Sequence, residues 1–146
     1  MSLAAYLDRD YYPISGTFSY TVGGVANPLR FDWDAAAIGP NGDLILVEKE
    51  LTRPVVLHIQ GHVSRAAFMV ARGEKVRKLV WVVRSEHFDA LWNIVEPWRK
   101  VLTRDCGLQP PHSEYWTEDG MCLSISPSPP RSSSVHEMAV PGGCDA

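Results

Sequence analysis

The chain has 146 residues, with 14 Lys and Arg against 17 Asp and Glu, for a net charge of −3. That length suits one domain with a modest core, and 45% hydrophobic content with five Trp argues for a folded globule. Asp8, Arg9 and Asp10 interrupt the only amino-terminal apolar stretch, which argues against a signal peptide, and no run approaches the roughly 18 apolar residues of a membrane span. No membrane partner is therefore expected. Three cysteines without a CxxC pair make a reducing cytoplasm the simplest location.

The charge is unevenly spread. Residues 1–52 hold three Lys or Arg against seven Asp or Glu, residues 53–104 hold ten against four, and residues 105–146 hold one against six. A basic middle between acidic flanks is what an enzyme acting on a polyanion needs, although solvated faces of two helices would give the same count.

In chain order, residues 2–7 read as a short helical turn with Ser2 as its cap. Alternation over 17–22 predicts a strand ended by Gly23-Gly24. A second extended piece, 29–38, pairs with it or with 43–51, the latter across a Gly39-Pro40-Asn41-Gly42 turn. In strands, residues two apart share a face, so Asp32 pairs with Asp34, and Glu48 with Glu50. Leu44 to Val47 leave no polar side on the second segment, as in a central strand. Carboxylates ending a buried strand are costly unless a cation or hydrogen bonds compensate them, and oxygen donors at this density suit Mg²⁺ or Mn²⁺ better than zinc, although a hairpin whose tip and edge carry solvated acids would show the same pattern.

Residues 54–71 carry apolar positions at three- and four-residue steps and predict a helix, with its amino end near Thr52 and Gly73 after its carboxyl end. Gln60 falls inside the apolar sector and must find partners there. His58 and His62 are four apart, but HxxxH without a further ligand is a weak zinc signal. Residues 78–84 read as a second central strand, reached by a parallel crossover. Ser85 is placed to cap a second helix, kinked or divided at Pro97. Residues 114–116 and 121–125 form a hairpin, an edge of the sheet. Residues 1–126 are thus one domain, and the Pro, Ser and Gly composition of 127–146 predicts a flexible tail.

The order of acidic hairpin, buried strand ending Glu-x-Glu, helix, strand and helix, over residues 30–103, resembles the core of the PD-(D/E)XK nuclease superfamily. Asp34 and Glu48 stand fourteen apart, and Val47-Glu48-Lys49-Glu50 matches that family's VExK segment, with Glu50 in the lysine position. The run Val47 to Thr52 also resembles the VExELT segment of replication-relaxation type proteins of actinobacterial mobile elements. The resemblance implies an α/β fold, a mixed central sheet with flanking helices and a restriction-endonuclease-like core. It implies a divalent-metal-dependent DNA endonuclease or DNA-processing protein that hydrolyses phosphodiester bonds, or else an inactive nuclease-like DNA- or protein-binding module of a plasmid, phage or conjugative element.

The site residues implied are Asp34, Glu48, Glu50 and Gln60, with Mg²⁺ or Mn²⁺ held by Asp34, Glu48 and Glu50 and with Asp32 as an alternative ligand. Arg65, Arg72, Arg77 and Lys78 become candidates for DNA phosphate contacts. A homodimer or a partner protein would supply the missing recognition surface.

Overall fold

The computed structural model describes residues 7–23, 26 and 28–125; the helical turn expected at 2–7 and the tail at 127–146 fall wholly or almost wholly outside them. The strands are β1 (Tyr12–Ile14), β2 (Phe18–Val22), β3 (Leu29–Trp33), β4 (Ala35–Ile38), β5 (Leu44–Glu50), β6 (Val76–Val83), β7 (Ser113–Trp116) and β8 (Cys122–Ile125). The helices are α1 (Val56–Ala71) between β5 and β6, and α2 (Phe88–Cys106) between β6 and β7. The class is α/β, with a mixed six-stranded sheet ordered β1-β4-β5-β6-β7-β8 and a separate β2-β3 ribbon.

β5, β6 and β7 run parallel to one another, while β1, β4 and β8 pair antiparallel at the flanks. Crossovers between neighbouring parallel strands share one hand, so two in succession place both helices on one face. The core agrees. Leu44, Leu46, Leu79, Trp81 and Tyr115 pack with Ile59, Val63, Ala66 and Ala67 of α1 and with Leu91, Val95 and Leu102 of α2. On the other face Ala35, Ala37, Ile45, Val47, Val80 and Val82 form a second cluster with no helical member, against Leu7, Tyr11, Leu51 and Trp116. The flanking helices are therefore a single layer among the described residues.

Two expected boundaries move. The extended piece at 29–38 is two strands, because the chain bends at Asp34: β3 pairs with β2, and β4 with β1 and β5, so both of the expected pairings occur. The β4-β5 turn forms as expected, with Gly39 N–H donating to the Asp43 carbonyl at 2.8 Å and Gly42 at φ 81°, a value that disfavours a side chain. The amino end of α1, expected near Thr52, has Val55 at its capping position, and α2 lacks the cap expected from Ser85: His87 stands there, and Ser85–His87 forms a 3-10 turn. Pro97 lies within an undivided α2. Cys106, at the end of α2, is an exposed free thiol. No helix among the described residues is long and apolar enough to cross a membrane.

Candidate metal centre

Alternation along β5 turns Leu44, Leu46, Glu48 and Glu50 to the helical face, and Ile45 and Val47 to the other. The strand therefore carries its apolar pattern into two carboxylates at its carboxyl end. Both are buried, at 4% and 7% exposure. They line a cavity of about 430 Å³ with Thr17, Asp32, Trp33, Asp34, Lys49, Thr52, His58 and His62.

Asp34 owes its position to the bend between β3 and β4. The β4-β5 ladder ends at Ala35 and Val47, and beyond it the Lys49 N–H donates to Asp34 Oδ2 at 2.8 Å, where a continuing strand would have offered a carbonyl. That contact brings the Asp34 carboxylate against Glu48. Burial, followed by the Asp34 carboxylate, pushes the Glu48 carboxyl up from about 4.5 to about 9. Glu48 Oε1 is buried with no hydrogen-bond partner. Burial also raises Glu50, against the opposing pull of His58.

α1 delivers the nitrogen donors. His58 and His62 are one turn apart, with their Nε2 atoms 3.1 Å from each other. His58 Nε2 lies 3.3 Å from Glu50 Oε1, and His62 Nε2 lies 3.6 Å from Glu48 Oε2. One donor atom each from Glu50, His58 and His62 falls within a span of 4.8 Å, a cluster that could hold a metal ion. His62 is buried between two indoles, its ring centroid 5.6 Å from Trp33 and 6.3 Å from Trp81. Burial, then Arg65 and His58, holds it down at about 4, so it is neutral and keeps a lone pair.

Protons alone serve this arrangement poorly. Two imidazole Nε2 atoms and carboxylate oxygens of Glu48 and Glu50 meet within a few ångströms, and protonating one pair leaves another facing lone pair to lone pair. A divalent cation satisfies every donor at once, and the unpartnered Glu48 oxygen and the proximity of Asp34 fit such an ion.

Of the residues singled out from the sequence, Asp34, Glu48 and Glu50 come together. Asp32 lies at the cavity rim, but its carboxylate accepts from Ser19 Oγ at 2.6 Å and Arg30 Nε at 2.8 Å, which leaves Asp34 as the member in contact with Glu48. Gln60 does not reach the cavity. It is two residues from His58, about 200° around the helix, and so lies on the other shoulder of α1.

Arg65 touches the site through His62. Arg72 lies at the far end of α1 beside Tyr20. Arg77 and Lys78 begin β6, at the opposite end of the sheet from Glu48 and Glu50, and the expected phosphate role does not suit them: Lys78 is buried on Asp8 and Glu114, and Arg77 pairs with Asp8 at 2.8 Å. His58 and His62 are the functional candidates that sequence reasoning undervalued. Their signal was the HxxxH spacing, which carried weight only together with Glu-x-Glu on the strand before.

No family model, curated protein or solved structure matches the chain. Fold and site together define an α/β protein with a metal-competent cluster of carboxylates and imidazoles at the carboxyl end of its central strand.

Proposed function

We propose that the protein is a divalent-metal-dependent DNA-processing protein that hydrolyses phosphodiester bonds, acting in the cytoplasm. One observation carries the reading: buried Glu48, with an unpartnered oxygen, converges with Asp34, Glu50, His58 and His62 on an open cavity. The succession β4-β5-α1-β6-α2 supports it by agreeing with the element order expected from the PD-(D/E)XK resemblance. Of the expected cations, Mn²⁺ suits two imidazoles better than Mg²⁺, which favours an all-oxygen shell.

The divalent cation, when bound, supplies positive charge that polarises a phosphoryl oxygen and makes water a better nucleophile. Glu48, Glu50, His58 and His62 are the residues that would hold it. Asp34 fixes the end of β5 through the Lys49 N–H and adds negative charge to the site. Trp33 and Trp81 hold the His62 ring and keep bulk water from it. His58 is exposed at the cavity, with its Nε2 beside Glu50 and His62, where it would complete the donor set.

A second reading, a nuclease-like module without catalysis, is favoured by one feature. No lysine amine is among the buried groups of the site, since Lys49 is exposed while Glu50 occupies the family's lysine position. Either form gains a foothold for a second copy or a partner protein from Val55, Val56 and Leu57, exposed just before His58.

Incubation with supercoiled plasmid DNA tests the choice. Catalysis gives nicked circles with Mn²⁺, none with EDTA, and none from a folded Glu48→Gln protein. DNA binding unaffected by EDTA, without nicking under any metal, would leave only the second reading.

A further inference from the structure

Arg65 stands in α1 one turn after Gly61 and next to the buried His62. Its guanidinium lies back along the helix, with one Nη 3.1 Å from His62 Nδ1. Gly61 permits this path, for a Cβ there would sit 3.0 Å and 3.3 Å from the two Nη atoms. A mid-helix glycine is unfavourable relative to alanine, and the close approach of Arg65 accounts for its place here.

Guanidinium can only donate, so Nδ1 of His62 accepts, and the single ring proton of the neutral imidazole must sit on Nε2. Nε2 is the atom that faces His58 and Glu48. In this state His62 offers the cavity a proton and not a lone pair. Among the described residues Arg65 has no carboxylate partner, and a neutral imidazole is a weak claim on a guanidinium compared with a phosphate.

We propose that Arg65 is a phosphate-responsive latch on the metal centre. Bound to His62 Nδ1, it holds the ring in the tautomer that cannot ligate; drawn onto a phosphodiester oxygen, it frees Nδ1. The proton on Nε2 then leaves to water, another returns from water to Nδ1, and the Nε2 lone pair turns to the cation. Charge and protons balance. Cation and nucleic-acid phosphate therefore bind cooperatively, each raising the affinity for the other by the same factor. This rests on the metal-centre reading above and adds to it an order of assembly, because the chain alone holds its cation weakly and the chain with DNA holds it well.

The test is Mn²⁺ titration of the full chain, with and without a short oligothymidylate, beside imidazole ¹⁵N spectra of the metal-free protein. In wild type the spectra place the His62 proton on Nε2, and oligothymidylate moves it toward Nδ1. Arg65→Met moves it without any oligonucleotide, raises Mn²⁺ affinity about tenfold as one charge-assisted hydrogen bond is lost, and abolishes the effect of oligothymidylate on Mn²⁺ affinity. Lys49→Met removes a positive charge at the cavity itself without touching His62, and leaves the tautomer and the coupling as in wild type. Mn²⁺ binding by wild type with no change of tautomer or coupling in Arg65→Met overturns the latch while sparing the metal centre. Failure of both wild type and Arg65→Met to bind Mn²⁺ overturns both.

Discussion

Two buried clusters of charge occupy opposite ends of the same sheet, and they are built on different principles. At the amino end of β6, Lys78 Nζ lies 3.0 Å from Asp8 Oδ1 and 3.0 Å from Glu114 Oε1, while Arg77 also binds Asp8 and the Trp116 indole also donates to Glu114. Each acid there has a cation or a donor. At the carboxyl end of β5, Glu48 meets Asp34 and only a neutral His62, and one of its oxygens has no partner. Burial of charge is tolerable in the first case because the protein brings its own counter-charge. In the second the protein keeps the proton on Glu48 instead, and an external cation could take that proton's place, which is how the two clusters differ.

The largest test of the contrast is removal of the amine. Lys78→Met leaves Asp8 with Arg77 alone and Glu114 with only the Trp116 indole, and because Asp8 is partly solvated and both acids keep a partner the expected loss is about 3 kcal/mol, the lower end for a broken buried pair. Denaturant unfolding measures it, and Mn²⁺ affinity should not change. An equal loss of metal affinity would mean that the two clusters are coupled.

The pH dependence of stability is next in size. Glu48 has its folded value raised to about 9 from 4.5, so its contribution is complete below pH 4.5 and is lost as pH rises through 9. His62 has its folded value lowered to about 4 from 6.5, so its contribution is complete above pH 6.5 and is lost as pH falls through 4. Between pH 4.5 and 6.5 the two slopes oppose and give a plateau. From pH 6.5 to 9 Glu48 acts without that opposition, and the metal-free protein should lose about 3 kcal/mol. Thermal unfolding in EDTA and in Mn²⁺ checks this: the decline should vanish with the metal and in Glu48→Gln, while Lys78→Met should retain it.

Gly61→Ala gives the smallest effect. Only the flexible end of Arg65 meets the new methyl, so the helix should gain up to ~1 kcal/mol while the guanidinium shifts off His62. A melting temperature below wild type would show that Arg65 cannot yield.

The sequence made β5 and its neighbours legible because alternation and four consecutive apolar residues leave a strand little choice of partner. It placed Glu48 and Glu50 on one face for the same reason. It could not choose between Asp32 and Asp34, since that depends on a bend at Asp34 that sends β3 into another sheet and leaves Lys49 N–H to a side chain. His58 was undervalued because helical periodicity put it on the polar side of α1, and only the approach of β5 reveals Glu50 beside it. Gln60 was given weight for its place in an apolar sector wide enough to include both shoulders of the helix. Lys78 read as a surface cation because its partners, Asp8 and Glu114, lie 70 and 36 residues away.

The central claim is that the acid-rich end of β5 awaits a divalent ion. Calorimetric titration of Mn²⁺ into EDTA-stripped protein, with oligothymidylate present, tests it most directly. One ion per chain is expected, with binding lost in both Glu50→Gln and His62→Gln proteins that still melt cooperatively. No binding, or binding that both substitutions leave intact, would contradict it.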